Sequence, residues 1–176
     1  MRILLLIIAK YIPFKKKYQL SFDFKNKIVW YRVPKAGLSS INKMMSDAVG
    51  RDYYYRSRSA NIFNGWYSFA VVRNPMDRFK SLYADKVVNN NYFCIAEDSR
   101  DIDTLLDLIE AGYFNKDPHV MSQNELVPLG VNVIKIEYAV GIPHINKSNI
   151  DITLTPKQMR RIYDIYKQDF KRFYKA

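Results

Sequence analysis

A lysine, a glycine and two serines follow one another closely in a connection between a predicted strand and a predicted helix. In such a connection backbone N–H groups point inwards, and the N-terminus of the helix attracts anions. Gly37 permits a close backbone approach because it has no Cβ, while Lys35 adds a cation. The pattern is typical of an anion site, and equally of a plain turn with a capping serine. The connection reads Pro34, Lys35, Ala36, Gly37, Leu38, Ser39 and Ser40.

A second polar group follows the next predicted strand. Arg73 comes at the end of that strand, and Asn74 then caps a helix whose first residue is Pro75, where proline is tolerated. Parallel α/β sheets bind ligands at the carboxyl ends of their strands, so Arg73 is placed to hold a phosphate through two hydrogen bonds. Ser81 lies two turns further on, on a face that can look back to the same site. The alternative is an ordinary helix start with arginines in surface pairs.

The elements that must position these residues alternate along the chain. Strands are predicted over 28–33, 67–72 and 131–136, and helices over 39–49, 101–111 and from Thr155 to about 173, besides the helix that Asn74 caps. A surface loop is predicted over 51–65. Strands that alternate with helices predict an α/β fold with a parallel sheet covered on both faces.

The composition is that of one globular domain. Hydrophobic residues make up 48% of 176, too many for a disordered chain, and a single cysteine excludes an internal disulfide. We expect an N-terminal segment over 1–24 and a single domain over 25–176. Residues 3–9 form a short apolar run, well below the about 20 residues of a spanning helix, so a buried strand is favoured over a weak membrane anchor. We expect a cytoplasmic protein, with a weak membrane-surface contact as the alternative.

The net charge of +11 attracts polyanions, among them nucleic acid, anionic lipid, sulfated sugars and phosphate-rich cofactors. Residues 51–60 interleave tyrosines with arginines, which suits an acceptor surface, a solvated loop or a module that binds single-stranded nucleic acid without catalysis. A P-loop-type nucleotide kinase is a further alternative. It is disfavoured because the lysine here precedes the glycine, whereas the NTPase motif has the order Gly-Lys-Ser/Thr. We expect no nucleic-acid partner.

Taken together, the two polar groups resemble the PAPS-dependent sulfotransferases, in particular the carbohydrate (chondroitin/dermatan-type) branch. Residues 33–40 are similar to that family's 5′-phosphosulfate loop, and residues 69–83 to its 3′-phosphate motif, Arg-x-Pro-x-x-Arg-x-x-Ser-x-Tyr. Weaker similarities lie at 117–123, 134–137, 142–148 and 163–174. Ser39 stands where the family usually has threonine, and Val120 where it has tryptophan. The resemblance implies a P-loop-like three-layer sandwich with a central parallel sheet flanked by helices.

The resemblance also implies a mechanism without a metal, in which PAPS gives up its sulfuryl group and leaves as PAP. Lys35 would stabilise the departing phosphate, and Arg73 and Ser81 would hold the 3′-phosphate. His119 is the candidate general base, because histidine titrates near neutrality; the alternative is that it orients a loop or binds the acceptor. The acceptor would be a carbohydrate or another small hydroxyl compound. The implied cofactor-binding residues are Lys35, Ala36, Gly37, Leu38, Ser39, Ser40, Arg73, Ser81, His144 and Asn146.

Overall fold

The structure is a computed structural model that describes residues 17–45, 53–56, 65–142 and 150–175. For residues 53–56 it describes the backbone. The apolar run over 3–9 lies outside these ranges, as do two of the residues implied in cofactor binding, His144 and Asn146. Among the described residues, no helix has both the length and the apolar character that crossing a membrane requires.

A five-stranded mixed sheet forms the centre of the fold, in the order β3-β1-β2-β4-β5. The three strands predicted from the sequence, β2, β4 and β5, run parallel to one another. Strands β1 and β3 are antiparallel additions at one side, so the prediction of a wholly parallel central sheet is wrong there. The strands are β1 (Lys17–Asp23), β2 (Ile28–Tyr31), β3 (Tyr53–Arg56), β4 (Tyr67–Val72) and β5 (Asn132–Lys135).

The tight turn after β1 explains the antiparallel pairing. Asp23 accepts hydrogen bonds from the backbone N–H groups of Lys25 and Asn26, each at 3.0 Å, and Lys27 has a positive φ of 54°. A short side-chain-stabilised turn returns the chain beside itself, which only an antiparallel pair allows. Strand β3 in turn pairs with β1, so the predicted surface loop over 51–65 contains an edge strand.

The described ranges contain six α-helices, a π-helical turn (Ala84–Asn89) and two 3₁₀ turns (Glu97–Ser99 and Ile136–Tyr138). Helix α2 starts as predicted, with Asn74 accepting from the N–H of Met76 and Pro75 in the first turn. Helix α1 does not have a serine cap, because its N-cap is Gly37. The single C-terminal helix that we predicted is two helices, separated at Tyr166. The α-helices are α1 (Leu38–Met44), α2 (Pro75–Tyr83), α3 (Ile102–Glu110), α4 (Gln123–Leu126), α5 (Pro156–Ile165) and α6 (Lys167–Phe173).

Both faces of the sheet are covered by buried side chains. In β2, Val29 and Tyr31 belong to one cluster, with residues from α4 and α6, while Trp30 between them packs with Ile41 of α1 in another. This alternation confirms the α/β class and the two covered faces. A further cluster joins α2, α3 and α5. The P-loop-like three-layer arrangement stays a prediction.

Candidate functional site

The connection from β2 to α1 is a tight loop with two residues of positive φ. Lys35 has φ 66° and Gly37 has φ 80°. The positive φ of Gly37 favours glycine, and a Cβ at this position would also press on Cδ1 of Ile136. Ala36 is buried in the core. Ile136, which directly follows β5, therefore packs against this loop at Gly37.

The Lys35 side chain ends in an ion pair. Its Nζ lies 2.6 Å from Oδ2 of Asp85, and the same oxygen is 3.4 Å from Nζ of Lys86. Burial lowers the pKa of Lys35, and the charges of Lys86 and Arg73 lower it further, while Asp85 opposes the shift. Lys35 is thus a half-buried amine with positive charges nearby. Among the described residues, the carboxylate that contacts it is that of Asp85.

Arg73 lies where β4 ends, as predicted. Gln123 fixes its backbone: the side-chain oxygen of Gln123 accepts from the Arg73 N–H at 2.9 Å, and the side-chain nitrogen donates to the Arg73 carbonyl at 2.7 Å. Within the described part of the chain, the guanidinium has no hydrogen-bond partner. Because β2 and β4 are parallel neighbours, Arg73 and the loop with Lys35 follow the same edge of the sheet, and the charge of Arg73 contributes to the lowered pKa of Lys35.

The three predicted serines lie in different environments. Ser40 is buried, whereas Ser39 is exposed on the first turn of α1. Ser81 is half-buried on α2, and no hydrogen bond of its hydroxyl with another described residue is found. Ser39 and Ser81 are thus the more accessible hydroxyls, and their predicted roles in cofactor binding stay predictions.

Arg78 joins the two loops that carry Lys35 and His119. Its side chain is buried, and its Nε donates to the Pro34 carbonyl at 3.1 Å. Its Nη2 donates to the carbonyls of Pro118 and His119, at 3.1 and 3.0 Å. Burial lowers the pKa of Arg78. One guanidinium therefore sets the spacing between the phosphosulfate-type loop and the candidate base, which excludes the alternative of a surface pair for this arginine.

His119 lies beside these cations with a fixed ring orientation. Its Nδ1 is 2.9 Å from Oδ1 of Asp117, and its ring packs edge-on against Tyr92 at 5.4 Å between centroids. Burial lowers the pKa of His119, and the charges of Lys86 and Lys35 add to the shift, while Asp117 opposes it. An ionised Asp117 places the proton on Nδ1, so Nε2, which has no partner among the described residues, is the atom that can accept a proton.

Several residues outside the two main motifs support the site through hydrogen bonds to the backbone. Asp169 is fully buried and accepts from the backbone N–H groups of Gln123 and Asn124, at 2.9 and 2.7 Å. Glu137 accepts from the N–H of Asn74 and from the hydroxyl of Tyr174. Glu137 therefore anchors the backbone at the start of α2. Gln123 has no comparable signal, because its partner lies 50 residues away in sequence.

Two cations follow neighbouring parallel strands, and a histidine of lowered pKa lies beside them. These features define an α/β protein whose site suits a polyanionic ligand. A comparison with family models identifies the family. The model described as "Sulfotransferase family" matches residues 18–119, more than half of the chain. The chain belongs to the sulfotransferase family, whose chemistry is sulfuryl transfer. Comparisons with curated proteins and with solved structures give no match.

Proposed function

We propose that this protein transfers a sulfuryl group from PAPS to a hydroxyl of a carbohydrate or similar acceptor. The observation that carries the proposal is the placement of three residues from separate parts of the chain. Lys35 follows β2 and Arg73 follows β4, its parallel neighbour, while the Arg78 guanidinium donates to the carbonyls of Pro34 and His119 at 3.1 and 3.0 Å. Membership of the sulfotransferase family supports the same reaction class.

The donor set fits PAPS. PAPS supplies the activated sulfuryl group and carries two anionic ends, a phosphosulfate and a 3′-phosphate. Lys35 and the loop from Ala36 to Ser40 would bind the first end, and Arg73 with Ser81 the second. The backbone N–H groups of Gly37 and Leu38 have no acceptor among the described residues, so they can donate to an anion. Charge-assisted contacts of this kind are the strong ones in phosphate recognition.

Lys35 would stabilise the charge that grows on the departing phosphate. Sulfuryl transfer, like phosphoryl transfer, depends on positioning and electrostatics more than on covalent chemistry by the protein. A fixed donor at such a charge contributes about 10²–10³ in rate. The Lys35 ammonium is half-buried, and its electrostatic contribution is greater there than in bulk water.

His119 would take the proton of the acceptor hydroxyl at Nε2. A general base must be neutral at the working pH, and the lowered pKa of His119 satisfies this requirement. Asp117 holds the ring and selects the tautomer. Beside His119 lies the half-exposed ring of Tyr92, with Nζ of Lys86 at 4.6 Å from its centroid.

The direct test is incubation with PAPS carrying radiolabelled sulfate and a panel of glycans and small hydroxyl compounds. Calorimetry with adenosine 3′,5′-bisphosphate in the absence of magnesium measures the cofactor site separately. Arg73→Ala is expected to weaken that binding by about 2 kcal/mol or more, since a charge-assisted contact is lost. Arg160→Ala is the matched control, because Arg160 is exposed on α5 and has no hydrogen bond with a described residue.

Two results would contradict the proposal. One is equal affinity of wild type and Arg73→Ala for the bisphosphate. The other is magnesium-dependent binding of ATP with no binding of the bisphosphate, which would instead favour a nucleotide kinase.

A further inference from the structure

We propose that Asp85 is the positioning residue of Lys35: its carboxylate keeps the ammonium charged and fixed in place for sulfuryl transfer. The inference deepens the proposed function and rests on it. Asp85 does not touch the reacting atoms in this proposal. It acts through Lys35, with which it forms the closest ion pair that the loop makes with a described residue.

The carboxylate of Asp85 is itself held from two sides. Oδ2 accepts from Nζ of Lys35 at 2.6 Å, and Oδ1 accepts from the side-chain nitrogen of Asn90, also at 2.6 Å. A carboxylate with both oxygens engaged has little freedom to rotate. Lys35 has a long flexible stem, so the fixed partner decides where its ammonium lies.

A local change in helix geometry carries Asp85. Helix α2 continues from Tyr83 into a π-helical turn over Ala84–Asn89, closed by the N–H of Asn90 donating to the Asp85 carbonyl at 3.1 Å. The wider turn inserts one residue relative to an α-helix, and such turns are frequent at functional sites. Here it places Asp85 and Asn90 within hydrogen-bonding distance of each other, next to the loop after β2.

The charges around Lys35 explain why a carboxylate is needed. Lys86 on the π-helical turn has its Nζ 3.4 Å from the same carboxylate oxygen of Asp85, Arg73 lies at the end of β4, and both charges lower the pKa of Lys35. Asp85 is the acid that contacts Lys35 among the described residues. Without it, burial and the neighbouring cations would favour the neutral amine. A neutral lysine cannot stabilise a departing phosphate as an ammonium does.

The distinguishing variants are Asp85→Asn, which removes the charge, and Asp85→Glu, which keeps it. Asn90→Ala is a second, milder variant, because it leaves the charge in place and removes only the contact that holds the carboxylate. Asp164→Asn is the control: Asp164 is exposed on α5 and has no ion pair with a described residue.

The first readout does not need activity. Competitive labelling of amines across a pH series, followed by mass spectrometry, gives the pH at which Lys35 becomes reactive. We expect that pH to be lower in Asp85→Asn than in wild type, to return in Asp85→Glu, and to stay unchanged in Asp164→Asn. A smaller shift in the same direction is expected for Asn90→Ala. An unchanged Lys35 profile in Asp85→Asn overturns the proposal.

The second readout separates positioning from a merely structural ion pair. In Asp85→Asn we expect kcat to fall about tenfold or more and its high-pH limb to move to lower pH, because Lys35 loses its proton earlier. Binding of adenosine 3′,5′-bisphosphate is expected to be unchanged or tighter, since a negative charge beside the anion site is gone. A parallel loss of kcat, bisphosphate binding and melting temperature, without a shift of the limb, overturns the proposal.

The same experiments separate this inference from the proposed function. If wild type transfers no sulfuryl group and binds no bisphosphate, the proposed function fails and the positioning role fails with it. If wild type is active and the Asp85 variants behave as wild type does, the positioning role fails alone.

Discussion

At the scale of single residues, the proposed mechanism depends on the pair of His119 and Asp117, because in it His119 takes the proton of the acceptor hydroxyl. The histidine ring is fixed through Nδ1 at 2.9 Å, and its surroundings disfavour the charged form. Burial and two neighbouring cations lower the pKa of His119, while Asp117 raises it in part. The ring is therefore neutral over a wider pH range than an exposed histidine, which suits a base that works beside a cationic site.

This balance predicts the pH dependence of Asp117→Asn. A base must be neutral, so the rate rises as pH increases through the pKa of His119. The amide of the variant lacks the charge that raises this pKa, so the rising limb of kcat should move to lower pH. The plateau should fall about tenfold or more, because the ring loses its fixed orientation. Steady-state rates measured across pH, with one glycan acceptor, test both effects.

His119→Ala is the control for this prediction, and in this variant the rise of kcat with increasing pH should disappear. A limb that stays in place, or moves to higher pH, in Asp117→Asn would assign the titration to another group. In that case His119 would have the alternative role, orienting its loop or binding the acceptor.

At the scale of elements, Arg78 connects α2 to two loops that are distant in sequence. It donates to three carbonyls of residues 34, 118 and 119 while buried. The planar guanidinium is suited to several acceptors at once, and lysine cannot reproduce this geometry. The loop with Lys35 and the loop with His119 therefore depend on one side chain for their relative position.

Arg78→Ala is expected to destabilise the fold by about 3 kcal/mol, because three carbonyls lose their donor inside the protein. Arg78→Lys should lose a large part of the same free energy. Urea denaturation followed by circular dichroism measures the free energy of unfolding. Arg160→Ala, on the exposed face of α5, should change it by less than about 0.5 kcal/mol. A loss below about 1 kcal/mol in Arg78→Ala would mean that water replaces the guanidinium at these carbonyls.

Elements that are formed by contacts between sequence neighbours could be predicted. Features that depend on contacts between distant residues could not. The start of α2 depends on neighbouring residues: the Asn74 side chain accepts from the N–H of Met76, and Pro75 fits the first turn. The break at Tyr166 is not local, because the hydroxyl of Tyr166 donates to the Val120 carbonyl from a buried position. The periodic apolar residues around it continue across the break, so they predict one helix where there are two.

The same distinction applies to the site. Lys35 and Arg73 could be selected as candidates from the sequence because each follows the carboxyl end of a strand, where parallel α/β sheets bind ligands. The residues that hold them could not, because Gln123 and Asp85 are each 50 positions from the partner that they fix. Residue type alone gives no signal for such pairs. The roles of Ser81, His144 and Asn146 in cofactor binding stay predictions.

At the scale of the whole molecule, the net charge of +11 attracts anions of every kind, whereas the proposed site is specific for PAPS. Surface charges are screened over about 8 Å at 0.15 M salt, and half-buried groups such as Lys35 are screened less. Binding through the overall charge should therefore weaken steeply with salt, and binding at the site should weaken less.

This difference predicts a comparison of two ligands in a salt series. A single-stranded oligonucleotide of mixed sequence should bind at low salt and lose most of its affinity by about 0.15 M, with a steep slope. Adenosine 3′,5′-bisphosphate should still bind there, measured by calorimetry. Arg73→Ala should weaken bisphosphate binding by about 2 kcal/mol or more and leave the oligonucleotide curve almost unchanged, since one charge among 28 basic residues contributes little. Tight oligonucleotide binding that persists above about 0.3 M salt, with no bisphosphate binding, would instead favour a nucleic-acid-binding module, because salt-resistant affinity requires stacking and desolvated contacts.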